Sequence, residues 1–159
     1  MWHLLAMHGR PDDSRIHRKL IDSLYVEAML LADEARAYFD EGGRSDREAL
    51  DPLARVAFSC ESLKVTTRLM HIIAWLLTQR AVAAGELPPC DALHPSRRLG
   101  TAPVSDDEAL ATMPAAARQL VTASAELYRR VARLDAAQSA PESHASPARR
   151  MLDRLHAAF

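Results

Sequence analysis

Apolar residues Ile21, Leu24, Ala28, Leu31, Ala35 and Tyr38 recur at alternating steps of three and four, the period of one buried helix face. Asp12, Asp13 and Ser14 supply N-cap chemistry ahead of this run, and Gly42 and Gly43 end it, so a first helix is predicted over 15–41. Ser45 and Glu48 have capping-box spacing, and Asp51–Pro52 offers a second start with proline at the first helical position. From there Val56, Cys60, Leu63, Thr67, Met70, Ala74, Leu77 and Ala81 form an unbroken heptad row that ends before Gly85, predicting a second helix over 52–84. A second stripe, Leu69, Ile72, Ile73 and Leu76, lies on another face of the same helix, which therefore touches neighbours on more than one side.

The stretch 86–104 holds Pro88, Pro89, Pro95, Gly100 and Pro103 and reads as a loop, long for a connection within a bundle. Ser105 and Glu108 again have capping-box spacing, Met113–Pro114 marks a kink or a fresh start, and Met113, Ala117, Leu120, Ser124, Leu127, Val131 and Leu134 predict a third helix running to 138. Residues 139–159 open on a Ser, Ala, Pro, Glu and His mixture expected to be disordered, then place Met151, Leu152, Leu155 and Phe159 at helical spacing beside Arg149, Arg150 and Arg154. The expected organisation is an N-terminal segment 1–14, an all-α antiparallel bundle of three long helices over 15–138, and a flexible C-terminal tail over 139–159 with an amphipathic helix in it. The second helix, roughly 50 Å long at 1.5 Å per residue, overhangs a first helix of roughly 40 Å. An overhanging apolar row is commonly covered by a second subunit, so a homodimer is expected.

Composition agrees with an all-α fold and narrows the function. Five glycines in 159 residues suit helices better than a β-sandwich, and a formal charge of -1 gives no global field for direct nucleic-acid binding. The longest apolar stretch, 69–77, is too short for membrane insertion, and 1–10 lacks the basic start and cleavage site of a signal peptide, so a cytoplasmic protein is expected. Cys60 and Cys90 have neither disulfide-framework nor zinc spacing; Cys60, on the heptad row, is expected to be buried as a small apolar residue.

Catalytic chemistry is hard to find. The seven histidines include no HExxH pair and none with Glu three residues before it, so no metal and no cofactor is expected. His71, one turn from Trp75, reads either as a hydrogen-bonded core or interface histidine or as a ligand or acid/base of a helical-bundle enzyme; the former is preferred. Ser62, Thr66 and Thr67 have no activating histidine in sequence and are expected to bond back to the preceding turn. Arg97 and Arg98 in the loop and Arg129, Arg130 and Arg133 on the third helix read as solvated charges. In the first helix, Arg15, Arg18 and Lys19 near the start and Asp33, Glu34, Asp40 and Glu41 near the end oppose the helix macrodipole.

The run YVEAMLLADEARAYFD from Tyr25 to Asp40, ESLKVTTRLM from Glu61 to Met70, WLLTQRA from Trp75 to Ala81 and LYRRVARLD from Leu127 to Asp135 resemble the bacterial family of the regulator of CtrA degradation. The resemblance covers most of 15–138. It implies a dimeric three-helix bundle with a flexible tail and no enzymatic activity. It also implies an adaptor that works with the unfoldase-protease ClpXP and the receiver-domain protein CpdR to deliver cell-cycle regulators, CtrA among them, often at a cell pole. Docking is then expected on the polar faces of the first two helices, at Glu34, Arg36, Glu61, Arg68 and Arg80, with Met151, Leu152, Leu155 and Phe159 as tail anchors. The alternative is a regulatory module that binds a receiver domain or transcription factor independently of proteolysis.

Overall fold

The computed structural model describes residues 11–139 and 147–158 and is built on helices throughout. Three are long: α1 (Pro11–Ala37), α3 (Pro52–Ala83) and α6 (Ala115–Ser139). Short pieces join them: a π turn at Tyr38–Gly42 and α2 (Arg44–Glu48) before α3, then α4 (Pro89–Ala92), a 3-10 turn at Pro95–Arg97 and α5 (Asp107–Ala111) before α6. A last helix, α7 (Pro147–Ala157), follows α6. Residues 1–10, and with them Trp2, lie outside the described residues.

The ends of the helices explain several departures from the sequence pattern. Because α1 starts at Pro11, Asp12 and Asp13 occupy its first turn and complement the macrodipole there, while Glu34 and Arg36 offset one another in its last turn. The backbone widens into the π turn at Tyr38, and Gly43 follows under the tyrosine ring, where a Cβ would lie 2.8 Å from the Tyr38 carbonyl oxygen. Tyr38, Phe39 and Phe58 pack together there, and the Tyr38 hydroxyl donates to Asp46 at 2.9 Å. Burial, then that hydrogen bond and the Asp46 charge, push the Tyr38 pKa up to about 12. Neither capping box forms: Gly43 caps α2, and Asp106 rather than Ser105 caps α5 by accepting from the Glu108 N–H. Asp51 does cap α3, accepting from the Ala54 N–H at 2.8 Å. α3 ends in a Schellman pattern, with Glu86 N–H to Ala81 C=O and Gly85 N–H to Val82 C=O, which needs the left-handed φ of 75° at Gly85.

The core lies where the stripes of α1 and α6 meet α3. Ile21, Leu24, Ala28 and Ala35 of α1 and Ala117, Leu120, Ser124, Leu127 and Val131 of α6 are buried as their spacing predicts. α3 is turned the other way. Its buried row is Phe58, Glu61, Val65, Arg68, Leu69, Ile72, Trp75, Leu76 and Gln79, while Val56, Cys60, Leu63, Met70 and Leu77 of the heptad row are exposed. The second stripe, not the heptad row, therefore faces the core.

Helix directions also depart from a wholly antiparallel bundle. α1 runs antiparallel to α3, since Arg18 reaches the Ala83 carbonyl while Arg36 lies beside Leu63 and Thr66. α6 runs parallel to α3: Arg68 meets Ser124, Trp75 meets Asp135 and Gln79 meets Gln138. The long connection is the cause, because it runs back along α3 before α6 begins. Arg98 sits beside Asp135, Gly100 over His71, the Pro103 carbonyl at Arg68 and the Val104 carbonyl at Lys64. A short loop would have made α3 and α6 antiparallel neighbours.

Candidate interaction surfaces

The returning connection is held by polar residues along one edge of α3. Glu61, 1% exposed, accepts from Lys64 at 2.9 Å and from the Ser105 hydroxyl. Arg68, 2% exposed, donates to the Pro103 carbonyl at 3.0 Å, to Ser124 at 3.3 Å and to Ser105. Burial pulls the Arg68 pKa below its ordinary value, the Glu61 charge pulls it back, and Arg129 lowers it further. One turn on, the His71 ring lies under Gly100, where a Cβ would come within 2.8 Å of Nδ1. That nitrogen is buried with no hydrogen-bond partner among the described residues, and the ring packs against Gly100 of the connection.

Further along, Trp75 Nε1 donates to Asp135 Oδ1 at 3.0 Å and Arg98 clamps both oxygens of that carboxylate at 2.9 Å each. Burial alone would raise the Asp135 pKa, but the hydrogen bonds from Arg98 and Trp75, the Arg98 charge and the Leu99 N–H outweigh it and hold the carboxyl below its ordinary range. Tyr128 donates to the Gly100 carbonyl at 2.7 Å. Arg98 is therefore a structural clamp rather than a solvated charge. Ser62, Thr66 and Thr67 bond back to carbonyls one turn earlier, as expected. Among the described residues no group of three or more His, Cys, Asp or Glu is placed to hold a metal.

What remains is surface. The outward side of α3 exposes Leu53, Val56, Leu63, Met70 and Leu77 in one line. Beside it, between α1 and α3, runs a groove of about 430 Å³ lined by Ala32, Ala35, Phe39, Leu63, Leu69, Met70 and Ile73, with Arg36 and Asp40 among the lining residues.

The residues singled out from the sequence divide accordingly. Glu34 is exposed on α1 and lines a groove against α6, and Arg36 is exposed at the α1–α3 groove. Arg80 is exposed but stacks 4.4 Å over the Tyr25 ring and lies 3.4 Å from Asp22, so it ties α3 to α1. Glu61 and Arg68 are not on an exposed polar face: they are buried, and they are brought together around Ser105 because the connection covers them. Met151, Leu152 and Leu155 are exposed on α7, and Phe159 lies outside the described residues. The sequence reading missed the clamp on Asp135 and the roof over His71; the one local signal was Trp75, a large apolar residue with an N–H that needs a partner when buried.

Among the described residues no helix is long and apolar enough to cross a membrane. Comparison with curated proteins gives no match. Among solved structures, the chain is similar to RcdA from Caulobacter crescentus CB15, with 36% sequence identity and a TM-score of 0.62, the likeness covering 75% of this chain and 90% of that one. Over residues 13–159 the sequence matches the family described as a protein of unknown function, DUF1465. The chain is an RcdA-like, all-helical protein and belongs to the DUF1465 family.

Proposed function

We propose that this protein is a non-enzymatic adaptor that helps deliver cell-cycle regulators, such as the response regulator CtrA, to ClpXP in concert with a receiver-domain partner of the CpdR kind. The observation that carries the reading is the 36% identity to RcdA spread over 90% of that chain. The distribution of chemistry supports it: Glu61, Arg68 and Asp135, buried in the bundle, hold the returning connection, and large apolar side chains lie exposed along α3 and α7. An adaptor works by raising the local concentration of cargo, which requires docking faces and a tether rather than reacting groups.

In this reading the protein is a cytoplasmic homodimer, at a cell pole in the family's manner, with α3 of one copy covering the outward row of α3 in the other. Glu34, Arg36 and Arg80 offer exposed charges for partners, and Met151, Leu152, Leu155 and Phe159 anchor the tail. Purified ClpXP, CpdR and CtrA provide the test. The full chain is expected to speed loss of CtrA while its own band persists; an unchanged rate with all components present refutes the reading. Binding of CpdR without any effect on proteolysis favours the regulatory module instead.

A further inference from the structure

Of the bundle's long grooves, the one between α3 and α6 is roofed by the returning connection, through Arg68 to Pro103 and Tyr128 to Gly100. The groove between α1 and α6 has no such cover among the described residues. It encloses about 320 Å³, with Leu31 and Leu127 at its base and Leu30, 65% exposed, on its wall. Its charge is one-sided: Glu27, Glu34 and Glu126 line it against Arg130 alone, and Arg130 is already engaged by Glu27 at 2.7 Å. α7 has the complementary pattern. Met151, Leu152 and Leu155 share one side of the helix and are all exposed, and the segment carries Arg149, Arg150 and Arg154 against Asp153.

We infer that the α1–α6 groove is the seat of the chain's own α7, which closes the bundle as a fourth helix. Tethering makes the match effective. α6 is one wall of the groove and ends at Ser139, and residues 140–146 separate it from α7. Seven residues reach about 24 Å, and Leu127 lies only about 18 Å back along α6 from Ser139. α7, about 16 Å long, then spans the level of Glu27 to Glu34 with its apolar side on Leu30, Leu31 and Leu127. The groove beside the outward row of α3 is a poorer seat, since Arg36 and Asp40 cancel there. Seating hides Met151, Leu152 and Leu155, so any partner that takes up this face of the tail competes with the groove for it. The inference concerns the chain alone and stands or falls separately from the adaptor reading.

The test is a spin-label distance measurement on the full chain with Cys60→Ser and Cys90→Ser, labelled at Thr122→Cys and Ala158→Cys. The expected result is a dominant narrow, short distance. Glu34→Lys with Glu126→Lys, both at exposed positions, should broaden and lengthen it, and adding Arg150→Glu with Arg154→Glu should restore it. Dilution with unlabelled chain should leave it unchanged. A broad distribution in the parent, or a short distance indifferent to the charge reversals, overturns the inference. A short distance lost on dilution assigns the seat to a second copy's tail and overturns it too. So does a broad distribution that narrows only when vesicles of anionic phospholipid are added, which would give the basic side to a membrane.

Discussion

Leu63 and Leu76 lie on one helix and were both apolar members of the sequence pattern, yet the structure gives them opposite roles. At 100° per residue they point about 140° apart. Leu76 is 0% exposed and Leu63 is 66% exposed. Leu76→Ala deletes buried methyl groups and leaves a cavity, which costs about 2–5 kcal/mol. Leu63→Ala removes a side chain still mostly in water, and a third of a leucine's burial comes to about 0.5–1 kcal/mol. Urea unfolding followed by far-ultraviolet circular dichroism separates the two when run at a low and a high protein concentration. At low concentration the Leu63 variant should unfold close to wild type and the Leu76 variant far earlier. At high concentration the wild type should gain stability by mass action if α3 pairs with a second copy, and Leu63→Lys should abolish that gain. A Leu63→Ala cost equal to that of Leu76→Ala at the lowest concentration would mean the heptad row is core and α3 is rotated from the orientation described here.

Arg68→Ala should destabilise by about 1–3 kcal/mol, because it takes the donor from the Pro103 carbonyl and from the Ser105 and Ser124 hydroxyls and removes the positive charge near the buried Glu61 carboxylate; a neutral result in denaturant titration would show that the connection is not pinned there. Gly100→Ala should cost about 1–3 kcal/mol by driving a methyl group into the His71 ring, and His71→Ala in the same chain should relieve most of it; additive single effects would place Gly100 elsewhere. Asp135 has a folded-state pKa below its unfolded one, so its contribution is present above the ordinary carboxylate pKa of about 3.9 and is lost as pH falls through the lower folded value. The stability gap between wild type and Asp135→Asn should accordingly be flat above about pH 5 and shrink as pH falls below about 4; a gap that widens in acid contradicts the assigned clamp.

How far the sequence could be read depended on how many sides each helix buries. α1 and α6 bury one stripe each, so the spacing of Ile21, Leu24 and Ala28 and that of Leu120, Leu127 and Val131 pointed straight to the core. α3 is apolar on two sides, and periodicity alone favours the side with fewer interruptions. That side is the outward one. The true core side is interrupted by Glu61, Arg68 and Gln79, polar residues that look misplaced in a buried row until the connection supplies Ser105 and Pro103 and α6 supplies Gln138. Those partners lie 35 to 59 residues away in sequence, beyond any local pattern. The docking charges were misjudged for the same reason: Glu61 and Arg68 read as an exposed polar side because their cover arrives from elsewhere in the chain.

The polar edge and the exposed apolar row of α3 follow from one choice of topology. Running α6 parallel to α3 requires a connection that travels the length of the helix without a regular hydrogen-bonding partner, and its carbonyls at Gly100, Pro103 and Val104 must be satisfied by side chains. Tyr128, Arg68 and Lys64 do this, so the edge of α3 that meets the connection has to carry charge. Among the described residues the opposite side of α3 meets no connection and no third helix. It is free of that demand, and its Leu63, Met70 and Leu77 remain exposed, Leu63 and Met70 at the edge of the groove against α1. In the proposed homodimer a second α3 presents the same row and covers it.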